Sequence, residues 1–223
     1  MNNNPITSGI IGYGLSGRVF HAPFIHHSPS FELKKIAQRS SDSSRLDYPE
    51  VDAVRSHTDI LNDPGIELVV VATPNEHHFQ MAKDALTAGK HVIIEKPFAS
   101  TLSETQELIE LAQTVSKQLF VFHNRRWDGD FKTVKQVIEN GLLGEIVTYE
   151  AHYDRYKPEL NAKPWKEIEG PGSGILYDLG THIIDQAVCL FGAPQSVSAQ
   201  LLRQRNNTKI DDGLGQDLGG GDQ

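Results

Sequence analysis

One cysteine, Cys189, stands in 223 residues, so no internal disulfide can form and a reducing compartment is expected. No apolar run reaches the ~18 residues that span a bilayer. The N-terminal Met1-Asn2-Asn3-Asn4-Pro5 lacks the basic and apolar regions of a secretory signal. Basic runs are missing as well, and the formal net charge is −8. Nucleic acid and anionic membrane recruit clustered Lys and Arg, so neither is an expected partner. Metal-ligand spacing is absent too. There is no H-E-x-x-H, and His26-His27 and His77-His78 are adjacent pairs that point to different faces, so no metal is expected. These absences leave a cytoplasmic globular protein of one large domain or two small ones.

What is present alternates between strand and helix signals. Ile6–Ile11, Phe31–Gln38, Val51–Arg55, Glu67–Ala72, His91–Ile94 and Leu119–Phe122 read as strands. Gly17–His26, a short segment from Thr58, Glu76–Ala88 and a segment from Ser103 to about Ser116 read as the intervening helices, with Ser103 and Gln106 as a capping box for the last. Strands alternating with helices predict an α/β fold with a doubly wound parallel sheet over residues 1–123.

The pattern then changes. Phe131–Asn140 and Asp178–Phe191 read as helices, Ile146–Tyr156 and Val197–Arg205 as strands, and Lys157–Gly174 as a Pro- and Gly-rich loop. This predicts a partial α+β domain over 124–212. From Gly213 to Gln223 five of eleven residues are glycine, and no apolar periodicity is evident, so a disordered tail or an altered continuation is expected over 213–223.

"IIGYGLSGRVF", residues Ile10 to Phe20, places Gly12, Gly14 and Gly17 between a strand and a helix. G-x-G-x-x-G alone is a weak signal, and a plain strand–helix turn is the competing reading. The strand before, the helix after and the second strand beyond supply the context of a dinucleotide-binding turn. In that role Gly12 permits the tight turn, Gly14 lets the backbone approach a pyrophosphate, and Gly17 lets helix and strand pack closely. The second strand ends in Gln38-Arg39-Ser40, with no acid until Asp42. An NAD site usually has Asp or Glu there, whereas Arg39 and Ser40 suit a 2′-phosphate; NADP is expected over NAD.

Ligands of a doubly wound sheet sit beyond the carboxyl ends of its strands. Polar groups follow three of these ends: Thr73-Pro74-Asn75 with His77 and His78, Glu95-Lys96-Pro97, and His123-Asn124-Arg125-Arg126-Trp127. Glu95 with Lys96 is either a structural ion pair or a functional one. In "LYDLGTH", Asp178 and His182 are four residues apart and share a helix face; an N-cap with a core histidine is the alternative.

"GYGLSGRVFHAPF", "EKPF", "HNRRWDGDF" and "GILYDLGTHIIDQ", in this order and spacing, identify the chain as resembling the Gfo/Idh/MocA oxidoreductases, within them the NADP-dependent scyllo-inositol 2-dehydrogenase branch. The resemblance covers residues about 6 to 212. It implies that Lys96 touches nicotinamide ribose and substrate hydroxyl, that Asp178 orients substrate, and that His182 exchanges the substrate proton. It further implies that Leu15 and Ser16 of the turn, Thr73, Pro74, Asn75, His78, Glu95 and Asn124 line the cofactor. Arg125 or Arg126 and Trp165 are further contacts on the same basis. The family carries a large open, mainly antiparallel sheet in its second domain, which forms the substrate floor and the homo-oligomer face; here most of that sheet and interface is expected to be missing.

The chemistry of the residues agrees. Oxidising a secondary alcohol removes a hydride and a proton. An imidazole, with an ordinary pKa near ~6.5, suits the proton, and an ammonium stabilises developing alkoxide. With this chemistry, the resemblance implies NADP-dependent oxidation of a ring hydroxyl of a cyclitol or sugar. The rival reading is a non-catalytic NADP-binding protein or an inactive shortened paralogue.

Overall fold

The apolar runs of the N-terminal half become one six-stranded sheet. The computed structural model describes residues 4–161 and 164–219, and divides the chain into two units at Phe122/His123, each taken by itself below. The strands of the first unit are β1 (Ile6–Ile11), β2 (Phe31–Ala37), β3 (Asp52–Val54), β4 (Leu68–Val71), β5 (His91–Glu95) and β6 (Leu119–Phe122). All pair in parallel, in the order β3-β2-β1-β4-β5-β6. The order reverses between β1 and β4, which makes the ends of these two neighbours the switch point of the sheet.

Helices cover both faces. They are α1 (Ala22–His27), α2 (Ser43–Asp47), α3 (Thr58–Leu61), α4 (His78–Thr87) and α5 (Leu102–Thr114). Successive side chains of a strand point to opposite faces, so each central strand feeds two cores. Ile10 and Val70 pack with Ala22, Ile25 and Ile36 on one side. Ile11, Val69 and Val71 pack with Ala85, Leu86 and Leu108 on the other. All four residues of β4 are buried, as its unbroken β-branched run requires.

The start of α5 differs from the sequence reading. Thr101, with extended backbone, accepts from the Glu104 amide, and the Glu104 carboxylate accepts from the amides of Thr101 and Ser100. A carboxylate reaches back to two N–H groups at once, so Thr101–Glu104 forms the capping box and Ser103 lies inside the helix.

The second unit contains α6 (Gly129–Glu139), α7 (Thr181–Phe191) and an antiparallel hairpin of β7 (Ser196–Leu202) and β8 (Gly213–Gly219). Two expectations are corrected here. The disordered tail is not found over 213–219. That segment pairs along its full length with β7, placing Leu218 opposite Val197 and Leu214 opposite Leu201. Leu214 and Leu218 supply a one-faced apolar pattern that the intervening glycines mask in the sequence, and cross-strand apolar pairs stabilise the ladder. Residues 220–223 of the expected tail lie outside the described residues. The strand expected over Ile146–Tyr156 does not form. Alternation makes a strand only where another backbone offers a ladder, and this segment is held by side chains instead. Tyr149 packs on Phe191 with ring centroids 5.3 Å apart, and the Arg125 guanidinium lies 5.2 Å from the Tyr153 ring. Arg205 ties the hairpin to the turn Pro164–Glu167, with Nε 2.8 Å from Asp212 and Nη1 3.0 Å from Glu167. Among the described residues no helix is long and apolar enough to cross a membrane.

One buried cation locks the first unit where α3 gives way to β4. Lys90 is 5% exposed, and its ammonium donates to the carbonyls of Asp63 (2.7 Å) and Ile66 (2.8 Å). Replacing it by methionine keeps the stem and strands both carbonyls. We expect Lys90→Met to lower the unfolding free energy by about 2 kcal/mol, read as a shifted urea midpoint with an unchanged slope.

Candidate functional site

The glycine turn follows β1 at the switch point. Gly12 has φ +100°, and its N–H donates to the Ala37 carbonyl at the end of β2. A Cβ on Gly12 would lie 2.5 Å from the Ala72 carbonyl, and one on Gly17 would collide with the Gly12 carbonyl. Both positions are therefore closed to a side chain. Gly14 is the opposite case: a Cβ there would meet nothing within 4 Å. Its backbone faces open space, beside the helix-start amides that have no partner in their own helix.

Glu95 reaches this turn from the end of β5. Its carboxylate accepts from the Ser16 hydroxyl in a short hydrogen bond and lies 2.8 Å from His21 Nε2. His21 is itself buried and packs on Phe122 with centroids 4.2 Å apart. Burial acts to raise the Glu95 carboxyl, but the bonds from His21, Ser16 and the Lys96 amide hold it below the ordinary carboxylate range. The turn is also braced from α2. Asp47 accepts from the Tyr13 hydroxyl (2.8 Å) and lies 2.8 Å from Arg18 Nε. Burial and the bond to Asp47 push the Tyr13 phenol up.

His78 opens α4 and is 1% exposed. Its Nδ1 lies 2.7 Å from the Pro97 carbonyl and its Nε2 2.9 Å from the Thr73 carbonyl. Burial pushes its pKa down and the two carbonyls act against that; only the protonated ring donates to both at once. With both nitrogens on main-chain oxygens, His78 acts on the loops after β4 and β5. Thr73 itself ends in a buried hydroxyl without a hydrogen-bond partner. Next to it Pro74 is exposed and Asn75 begins a short turn, Asn75–His77. Lys96 follows Glu95 and is partly buried; Leu15, Arg39 and Ser40 are exposed.

An open backbone at Gly14, a waiting hydroxyl at Thr73 and a switch point between β1 and β4 fit a dinucleotide with its phosphates on the glycine turn. Ser16 and Glu95 face each other as well as the turn, and His78 supports the loops from below their backbone.

In the second unit α7 is preceded by a π-wound turn, Leu176–Gly180, that carries Asp178. His182 sits one turn further on and is 5% exposed. Asp178 is half exposed and lies 3.5 Å from Lys166 Nζ. The turn Asn124–Trp127 docks on α7. Arg126 makes two bonds to Asp185, at 2.7 and 2.6 Å, and Gln186 donates to the Arg125 carbonyl. The Asp185 bond holds the Arg126 guanidinium above its ordinary pKa. Arg125 Nη1 lies 2.9 Å from Asp128, while its Nε is buried without a partner. His123 stands between, 3.7 Å from Asp185 and with its ring 6.4 Å from that of His182. The side chain of Trp165 lies outside the described residues. Among those described, no group of three His, Cys, Asp or Glu could hold a metal ion.

Sequence reasoning missed His21, Asp47, Lys166 and Asp185. His21 carries one signal, a histidine one turn into the helix after the glycine turn, on the face toward the sheet. The others meet their partners across long separations that no local pattern marks.

Comparison with known proteins follows the same division. Residues 6–123 match the family model described as "Oxidoreductase family, NAD-binding Rossmann fold", and residues 131–215 match the GFO/IDH/MocA C-terminal domain. The uncharacterized oxidoreductase YdgJ of Escherichia coli is 45% identical over 95% of this chain and 61% of its own length. The scyllo-inositol 2-dehydrogenase (NADP(+)) IolW of Bacillus subtilis is 44% identical over 93% of this chain and 58% of its own. The structure of the oxidoreductase YvaA from Bacillus subtilis superposes with a TM-score of 0.94 at 42% identity, covering 99% of this chain and 63% of that one. The chain thus spans about three fifths of the length of the curated relatives it matches.

Glu95 is the residue whose loss the first unit should feel most at this site. Glu95→Ala leaves Ser16 and buried His21 without their acceptor, and we expect a loss of about 3 kcal/mol in unfolding free energy. Because its folded pKa is depressed, the carboxylate stabilises above ~4.3, the unfolded value, and that contribution fades as pH falls through the folded one. Urea titrations between neutral and acid pH should therefore show a shallower acid decline for Glu95→Gln than for the parent.

Proposed function

As the chain belongs to the GFO/IDH/MocA oxidoreductase family, we propose that it serves as an NADP-dependent dehydrogenase of a cyclitol or sugar, oxidising a ring hydroxyl to a ketone in a reversible reaction. The observation that carries this reading is Asp178 and buried His182 on successive turns of one helical segment. A carboxylate and an imidazole so spaced meet the two needs of a polyol: a hydroxyl to orient and a proton to remove. The activity named for IolW, a scyllo-inositol dehydrogenase using NADP, supports the substrate class.

When bound, the dinucleotide supplies the hydride acceptor. The chain supplies the rest. The glycine turn at 12–17 holds the phosphates through backbone amides, and Thr73 offers its hydroxyl at the switch point. Arg39 and Ser40, exposed at the end of β2 where an NAD site carries an acid, favour a 2′-phosphate. Asp178 accepts a hydrogen bond from a ring hydroxyl. His182 takes the proton from the hydroxyl oxygen that becomes the carbonyl; in the first unit, Lys96 is the ammonium suited to stabilising developing alkoxide charge.

The test separates chemistry from cofactor binding. With scyllo-inositol and a panel of polyols, His182→Ala should lower kcat by about 10²–10⁴-fold while NADPH affinity, followed by nucleotide fluorescence, changes little. Equal losses in both would count against the assignment. Tight NADPH binding by the parent chain without turnover of any polyol would favour the non-catalytic reading.

A further inference from the structure

The loop between β2 and α2 is organised by a residue outside it. Arg55, just past β3, donates through Nη1 to the carbonyls of Gln38 (3.1 Å) and Ser41 (2.7 Å), and through Nη2 to the Asp42 carboxylate. Gln38 closes the other side, bonding the Ser43 hydroxyl and the Ser44 amide. Arg45 also approaches Asp42, with Nε 3.8 Å away, and donates to the Ala53 carbonyl. Two consequences follow from this geometry. Carbonyls 38 and 41 turn toward the guanidinium, while the amides of residues 39 to 42 have no acceptor among the described residues. And the one acid of the loop is drawn to the β3 side, so that two guanidiniums, those of Arg55 and Arg45, approach a single carboxylate, while Arg39 is exposed in the same loop.

A loop of consecutive amides without acceptors, under net positive charge, suits an anion. It lies next to the glycine turn, since the strand it leaves ends on Ala37, the acceptor of the Gly12 amide. An unpaired Asp42 in the same loop would repel a phosphate dianion and accept a ribose hydroxyl instead.

We propose that Arg55 is the positioning residue that sets the nucleotide preference of this loop, by pairing with Asp42 and folding carbonyls 38 and 41 away from the ligand so that a 2′-phosphate is received. The proposal rests on the reading that a dinucleotide occupies the first unit. It does not require Arg55 to touch the nucleotide.

Binding alone tests it, with adenosine 2′,5′-bisphosphate and adenosine 5′-monophosphate as probes, by calorimetry on the chain as it stands. The parent should prefer the bisphosphate by about tenfold or more, the effect of one charge-assisted contact. Arg55 is half exposed, so R55Q leaves the core intact. R55Q should cut that preference by about tenfold while the monophosphate affinity holds within about twofold, because Asp42 is then unmasked. Adding D42N to R55Q should restore a large part of the preference. A preference that survives R55Q, a parallel weakening of both probes, or a double variant no better than R55Q overturns the role of Arg55 and leaves the dinucleotide reading standing. A parent chain that does not distinguish the probes overturns this proposal and the NADP reading together.

Discussion

A buried carboxylate holds the first unit's site together. Glu95 stands at the end of β5, yet its partners are Ser16 in the glycine turn and His21 in the helix start behind it. The glycines make the turn possible by removing side chains where strand ends crowd it. They do not fix its position across the sheet. That is done by a charge-assisted bond, which is short, directional and worth more inside a protein than in water. The cost of burying the carboxylate is offset only while all its donors are in place, so the backbone of the glycine turn and the strand two places away form one cooperative unit.

The second unit uses the same device with different residues. Asp185, three places after His182 on α7, grips Arg126 with both oxygens and lies near His123. The basic turn that reads in sequence as a ligand contact is thereby committed, in Arg126, to a protein carboxylate. Its neighbour Arg125 is split between roles: one end bonds Asp128 and lies over Tyr153, while Nε is left buried without a partner. In both units a carboxylate, Glu95 or Asp185, bonds side chains of a neighbouring element.

What can be read from the chain alone follows the range of the interaction. The six strands, their parallel pairing and the glycine turn are legible because each depends on residues close in sequence: apolar runs, turn residues and the spacing of Gly12, Gly14 and Gly17. Asp178 and His182 are legible for the same reason, being one helical turn apart. The hairpin strand Gly213–Gly219 is not, because glycine composition outweighs two leucines until β7 is there to pair with them. Ile146–Tyr156 shows the converse: an alternating pattern with no partner strand gives no strand. His21 with Glu95 and Arg55 with the loop after β2 join residues that only the folded sheet brings together.

His78 makes a mechanical link between two loops of the first unit. A single rigid imidazole spans the Thr73 and Pro97 carbonyls, one at the exit of β4 and one at the exit of β5. When the ring is protonated it donates to both, and neither loop then shifts without straining or breaking a bond. Displacing the backbone at Thr73 is therefore transmitted through the ring to the peptide that follows Lys96, and two segments separated by a whole helix behave as one lever.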